Sequence, residues 1–237
     1  MTAAEILRKL ESLGSPKSVQ VLERYAIPTS NAFGIAAPVV KQLAREVKKQ
    51  AIDRHSLSLQ LWETGNYEAR AVAYLIDDPR RVTPEQIESW AADFDNWATV
   101  DGVCSVLFCR TPYAYEKAFE WPARDEEFVK RAAFSLMAYL AVHDKKADDD
   151  KIAAFLPIIE SNADDDRKYV TKAVNWALRQ IGKRSLYLNA LAIETADRIK
   201  LQNTKPARWI ASDALRELKT EKVLERLRRR SLGDKFS

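Results

Sequence analysis

Trp97 and Asp101, in "DFDNWATVDGVCSVLFCR" at residues 93–110, lie four residues apart. In a helix that spacing puts an indole and a carboxylate on one face. Asp101 is the only carboxylate from Trp97 to Arg110. A second indole, Trp176, stands in "DRKYVTKAVNWALRQIGKR". At about 100° per residue, Lys168, Lys172, Trp176, Arg179 and Lys183 fall within roughly 80° of one another. Val170, Val174, Ala177 and Ile181 centre on nearly the opposite side. An indole beside a carboxylate attracts a cationic group, through the ring quadrupole and through charge. Cations interleaved with an aromatic suit a nucleic-acid backbone. If both faces open onto one groove, its two indoles, carboxylate and basic walls fit a positively charged lesion flanked by phosphates. Each feature also has a plainer reading. Trp97 fits the edge of a core, and Asp101 fits a helix start that favours negative charge. Trp176 fits against a neighbouring repeat, with the lysines as its solvated rim.

Composition narrows the classes. The chain has 237 residues, 46% of them hydrophobic, enough for a sizeable core in one large domain or repeat array. Its 6 glycines argue against a β-rich or loop-rich fold, and the charged 30%, mixed in sign, suits solvated helix faces. The sequence has no run of 18 apolar residues, so no membrane span is expected. "MTAAEILRKLESLG" reads as an amphipathic helix and not as a signal peptide. Two cysteines, Cys104 and Cys109, and two histidines, His55 and His143, are too few for a zinc cluster or a disulfide framework. Both histidines read as incidental. No metal and no cofactor are expected, and a reducing, cytoplasmic setting and a monomer are. There is no phosphate-cradling glycine loop and no Gly-x-Ser-x-Gly elbow. The net charge of +4 hides a split: from Arg167 onward there are 18 Lys and Arg against 7 Asp and Glu, a net of +11, leaving −7 before it. That asymmetry points to a polyanion partner; the alternative is a soluble surface with a basic tail, "ERLRRRS".

The elements that must position these residues are helices throughout. Helical patterns run near 2–13, 16–27, 38–49, 54–62, 67–76, 84–93, 97–109, 112–120, 126–143, 149–160, 167–181, 186–199, 206–218 and 221–230. Pro16, Pro38, Pro84, Pro112 and Pro206 each sit where a first turn begins, and Thr83 and Thr111 read as N-caps. Short polar turns between segments predict antiparallel pairs. "DEEFVKRAAFSLMAYLAVHDKK" and "DDDRKYVTKAVNWALRQIGKR" share a pattern at a spacing of about 40 residues, near that of HEAT-type repeats. The expectation is an all-α fold, an α-solenoid of HEAT-like antiparallel helix pairs with a concave basic groove, forming one domain over 1–237; a globular bundle is the alternative. "FVKRAAFSLMAYLAV" is apolar almost all round and reads as a central helix. Arg131 near its start pairs with a carboxylate, reaches solvent, or lines a cleft.

Taken in order, "RYAIPTSNAFGIAAPVVKQLAREV", "LWETGNYEARAVAYLIDD", "DNWATVDGV", "FVKRAAF" and "KAVNWALRQIGK" resemble the bacterial DNA alkylation repair family, the AlkD-type alkylpurine DNA glycosylases. The resemblance covers most of the chain and fades over the last 35 residues or so. It implies a HEAT-like solenoid holding duplex DNA that carries alkylated purines. It also implies excision of cationic N3- and N7-alkylated purines, without flipping the base into a pocket. The family's catalytic aspartate falls on Asp101, its neighbouring Trp on Trp97, its second cleft Trp on Trp176, its cleft Arg on Arg131 and its N-terminal Tyr on Tyr25. The residues between Trp97 and Asp101 differ from those of active members, and the family contains relatives without glycosylase activity.

That chemistry needs little. An N3- or N7-alkylated purine is already cationic, so it leaves neutral and requires no general acid. Positive charge then moves onto the deoxyribose, where one carboxylate, Asp101, stabilises it and orients water. Trp97 and Trp176 would lie against the sugar-phosphate backbone, with phosphates taken by Arg131 and the cations Lys168, Lys172, Arg179 and Lys183. Two other classes compete: a non-catalytic protein binding damaged or structured DNA, and a protein-interaction scaffold. Charge separates the scaffold from the rest. If the basic part contacts phosphates, affinity for a labelled duplex falls steeply between low and moderate salt, because each contact releases counterions. A response that is nearly flat, or no binding at low salt, would favour the scaffold.

Overall fold

The computed structural model describes residues 1–233, so Asp234 and Lys235 of the basic C-terminal count lie outside the described residues. Every regular element in them is helical. The chain divides into two compact units, residues 1–113 and the remainder from Ala114. The first holds α1 (Ala3–Leu13), α2 (Pro16–Arg24), α3 (Ala37–Gln50), α4 (Arg54–Glu63), α5 (Tyr67–Ile76), α6 (Pro84–Ala92) and α7 (Trp97–Val106). The second holds α8 (Ala114–Glu120), α9 (Glu127–His143), α10 (Asp149–Ala153), α11 (Leu156–Ser161), α12 (Lys168–Gly182), α13 (Leu186–Leu201), α14 (Lys205–Leu218) and α15 (Glu221–Gly233). No described helix is long and apolar enough to cross a membrane.

Starts are set by short polar side chains that accept from the first free N–H groups. Thr2 forms a capping box with Glu5. Asp53, Asn66, Thr83, Asn96, Ser185 and Thr204 cap α4, α5, α6, α7, α13 and α14. Four expectations need correction, and proline accounts for them. The segment 149–160 is two helices, because Pro157 has no N–H for the carbonyl of Ala153 and its ring crowds it. The segment 97–109 stops at Val106 and tightens into a 3-10 turn at Phe108–Arg110, since Thr111 precedes Pro112 and is extended. Thr111 is therefore no N-cap: its hydroxyl donates to the Phe108 carbonyl at 2.8 Å, and α8 begins at Ala114. The segment 16–27 ends at Arg24, with Ile27 ahead of Pro28 and Ala26 left-handed at φ 54°.

In the second unit α9 is buried along most of its length, as its apolar sequence predicts, and α12 packs on α9, α13 and α14. Polar links between neighbouring helices include spans of 34 and 43 residues, and several share one separation. Arg131 to the Tyr169 carbonyl, Asn175 to Asp213, Arg179 to Glu217 and Arg198 to Glu160 each span 38 residues. That shared register is the structural form of the roughly 40-residue spacing in the sequence.

In the first unit Trp62 and Trp90 stack at 3.9 Å with an interplanar angle of 3°, flanked by Phe94 and Phe108. The connection from Tyr25 to Ala36 has no helix of its own and is fixed by a carboxylate. Glu68, 1% exposed on α5, accepts from the backbone N–H groups of Phe33 (2.9 Å), Gly34 (2.8 Å) and Ile35 (3.1 Å). Gly34 makes the convergence possible with φ 76°, and a Cβ there would meet the Ser15 carbonyl at 2.6 Å. Removing the acceptor strands three N–H groups, each costing about 1–3 kcal/mol if unsatisfied. Glu68→Ala should lower urea-measured stability by about 3–5 kcal/mol, and Glu68→Gln by less. A loss under about 1 kcal/mol for the alanine variant would mean water replaces the carboxylate at no cost.

Candidate nucleic-acid interface

The residues singled out in the sequence fall into two groups, one in each unit. In the first unit the buried Asn96 sets where α7 begins: its Oδ1 accepts from Thr99 N at 2.9 Å, and its Nδ2 donates to Asp95 Oδ1 at 2.6 Å. Trp97 is then the first helical residue and Asp101 the fifth, outside the first turn, which carries no acid. The pull of a helix N-terminus on negative charge fades within that turn, so the helix dipole does not explain Asp101. The Trp97 indole is not packed into the core. It is partly exposed, and its Nε1 donates to the Tyr25 carbonyl at 2.9 Å. The Tyr25 ring meets it edge-on, centroids 6.4 Å apart at 64°, and is itself 60% exposed. Two residues 72 apart in sequence thus form one aromatic corner, one helical turn from Asp101. Gly102, beside Asp101, lets Tyr74 lie against α7: a Cβ there would come 2.6 Å from the Tyr74 Cζ.

In the second unit Trp176 is half-buried on α12 and meets Tyr139 of α9 edge-on at 5.0 Å and 89°. Tyr139 in turn stacks on His143 at 6.0 Å. The basic stripe along α12 is split. Lys168 and Lys172 are exposed, Lys168 with its ammonium 5.3 Å from the Tyr169 ring centroid. Arg179 and Lys183 instead meet acids of α14: Arg179 Nη1 reaches Glu217 at 2.9 Å and Asp213 at 3.4 Å, and Lys183 Nζ reaches Glu217 at 2.8 Å. Arg131 is 6% exposed, with its Nη1 donating to the Tyr169 carbonyl at 2.9 Å, so its guanidinium sits at the first turn of α12. Just ahead of α12, Asp165 binds Arg167 at 2.6 Å and Lys130 at 3.2 Å. Burial pushes the Asp165 carboxyl up, but hydrogen bonds from Arg167 and Lys130 outweigh it and hold the group below the usual carboxylate range.

Sequence reasoning missed the partners. Tyr139 and His143 share a face four residues apart, but α9 read as apolar all round. Asp213 and Glu217, also four apart, stand 38 residues beyond Asn175 and Arg179, a register that the sequence pattern defines only approximately.

A family model described as DNA alkylation repair enzyme matches residues 6–218. An uncharacterized protein of Listeria innocua serovar 6a is 24% identical over 110 residues, covering 45% of this chain and 48% of the relative. An uncharacterized protein of Listeria monocytogenes serovar 1/2a is 23% identical over 139 residues, covering 57% of this chain and 61% of the relative. The chain thus spans less than two thirds of the length of either relative. Among solved structures, one is described as a new family of proteins related to the HEAT-like repeat DNA glycosylases with affinity for branched DNA structures. It is similar over 91% of this chain and 95% of its own, with a TM-score of 0.74 and 21% identity. The fold is accordingly all-helical and HEAT-like.

The half-burial of Trp176 sets a magnitude. A fully buried Trp truncated to Ala costs about 3–5 kcal/mol, whereas an aromatic pair adds about 0.5–1.5 kcal/mol beyond its area. Trp176→Ala should therefore cost about 1–2 kcal/mol, well below Trp121→Ala, where the ring is 0% exposed. Equal losses in urea unfolding would make Trp176 a core residue and remove the basis for reading its stripe as a binding face.

Proposed function

The chain belongs to the DNA alkylation repair enzyme family, and from that premise we propose that it binds duplex DNA and excises purines alkylated at N3 or N7. The observation that carries this reading is the corner in the first unit. Trp97 is held out of the core by its hydrogen bond to the Tyr25 carbonyl, with Asp101 one turn on at a position the helix dipole does not account for.

The chemistry follows from the charges. An alkylated purine leaves neutral, and cationic character builds on the deoxyribose as the glycosidic bond lengthens. The Asp101 carboxylate stabilises that charge and orients the water that adds to the sugar. At about 4 Å and an effective dielectric of about 20, the attraction is about 4 kcal/mol, roughly a thousandfold in rate. Trp97 and Tyr25 offer rings to the sugar-phosphate chain. On α12, Lys168 and Lys172 offer exposed charge to phosphates and Trp176 offers a ring. Arg179 and Lys183 tie α12 to α14 and contribute to the local field more than to direct contacts.

A second reading has its own support. The structural neighbour is described by its affinity for branched DNA, which favours a protein that binds DNA without cutting the glycosidic bond. Both readings put DNA on this chain, and they separate on Asp101. On duplex carrying 7-methylguanine, Asp101→Asn should slow single-turnover base release by roughly a thousandfold. DNA affinity should be kept or slightly raised, because one repulsion with phosphate disappears. Full activity in the variant would reduce Asp101 to a structural charge. A wild-type protein that binds DNA, prefers branched forms and releases no base would establish the second reading.

A further inference from the structure

At the far end of α12 from Lys168, a pocket of about 160 Å³ opens where α9, α12 and α15 approach one another. Its polar lining is Lys145, Gln180, Lys183, Arg184, Arg226 and Arg230, and among the described residues no carboxylate lines it. Some of this charge has a structural use. Arg184 donates to the carbonyls of Ala141, Asp144 and Ala147 and meets Asp149 at 3.0 Å, so it closes the C-terminal end of α9. Lys183 is paired with Glu217. Lys145, Arg226 and Arg230 are exposed, and none of the three forms a salt bridge with a described residue.

The arginines are held there deliberately by α15. Val223 and Leu227 are buried against the unit, which turns Arg226 and Arg230, one turn apart, toward the pocket. The same two arginines, with Lys183, also line an adjoining cleft of about 830 Å³, where Glu217 and Glu225 stand among the cations. Like charges gathered in a concavity repel one another, and beyond a long hydrogen bond from Arg230 Nη1 to the Lys183 carbonyl, 3.5 Å, no ion pair with a described residue offsets that for Lys145, Arg226 and Arg230. The Lys145 ammonium is held below its usual range first by partial loss of solvent, although the residue as a whole is exposed, and then by the nearby Arg230 and Arg184 guanidiniums.

We propose that this pocket is a phosphate site that takes a backbone phosphate of bound DNA, gripped by Arg226, Arg230 and Lys145 and receiving a hydrogen bond from Gln180. Forked guanidinium donors and a lysine match the geometry and charge of a phosphate. The inference rests on the DNA-binding reading above and extends it. α12 has 15 residues, about 22 Å at 1.5 Å per residue. Lys168 and Lys172 stand 12 and 8 residues before Gln180, about 18 and 12 Å along the helix, so DNA engaged there and at this pocket is held at two separate places.

The test compares Arg226→Gln/Arg230→Gln with Lys200→Gln/Lys205→Gln in the full chain. The second pair removes equal charge from exposed positions elsewhere in the same unit. Affinity for a labelled duplex is measured across salt. Amide chemical shifts near Lys145, Gln180 and Arg230 are followed during titration with inorganic pyrophosphate. The proposal expects the arginine pair to lose about tenfold in affinity near 0.1 M salt and its log–log salt slope to become shallower by about 1–2, with the control pair far less affected. Equal losses in both pairs would overturn it, showing only a general field. Unchanged DNA binding by the arginine pair, with pyrophosphate shifts present in wild type and absent in the variant, would overturn the DNA assignment in favour of a free phosphate compound. If wild type binds no DNA, the reading of the whole protein fails, and pyrophosphate then decides the pocket alone. Shifts confined to its lining keep a phosphate site, and their absence ends it.

Discussion

Three consecutive backbone N–H groups converge on one buried carboxylate, and the exposed corner of the first unit depends on that convergence. Glu68 satisfies Phe33, Gly34 and Ile35, so a connection without regular structure has a fixed end. Its other end is Tyr25, whose carbonyl receives the Trp97 indole. A buried carboxylate is costly unless its lone pairs are met, and donors that belong to the backbone cannot swing away. The left-handed conformation at Gly34, with no room for a Cβ, permits the three N–H groups to point inward together. α5, the connection and α7 are thereby linked through two polar contacts, and Tyr25 is held by its main chain while its ring stays exposed.

The second unit is organised by register. A helix in a repeat buries one face against its neighbour, so polar groups on that face need partners at similar offsets. The recurring 38-residue links meet that need. They also consume charge. Much of the basic excess after Arg167 goes into ion pairs: Arg167 with Asp165, Arg179 and Lys183 with Glu217, Arg184 with Asp149, Arg198 with Glu160. A large net charge is therefore a poor map of a binding surface. The remainder includes Lys168 and Lys172 at one end of α12 and Arg226 and Arg230 at the other, besides scattered exposed lysines such as Lys200, Lys205 and Lys222.

Helix existence and type were legible in the sequence, because apolar periodicity, N1 prolines and capping residues agree at most boundaries. Boundaries failed where two signals conflicted. Thr111 is a good cap by type, yet the 3-10 turn before it offers the Phe108 carbonyl first, and its hydroxyl donates there. Pro157 sits inside an apolar pattern that continues unbroken across it, so periodicity hid the break. At the candidate site, helical geometry alone placed Trp97 and Asp101 on one face and Trp176 off the apolar face of α12. The contact of Tyr25 with Trp97 was not legible by periodicity, because it spans 72 residues and uses a main-chain carbonyl. Nor was the pairing of Arg179 and Lys183, which depends on acids of another helix. Long-range polar pairing needs the register, and the sequence gives that only to within a few residues.

The two DNA readings share nearly all of this construction. Glu68 and the Tyr25–Trp97 corner order the first unit, and the polar links near 38 residues order the second, whichever reading holds. Excision adds one demand, a negative charge facing a sugar that becomes cationic. A carboxylate among phosphates opposes binding in the ground state, and its attraction strengthens only as the glycosidic bond breaks. It therefore raises the rate through the transition state and not through affinity. In the proposed reading the cations offered to phosphates, Lys168 and Lys172, stand on α12 and the carboxylate, Asp101, on α7, so affinity and chemistry would be carried by different residues. On that reading, changes near Asp101 would remove or restore excision while the grip on DNA persists. Relatives that differ in activity but share the helical frame are the expected consequence of that separation.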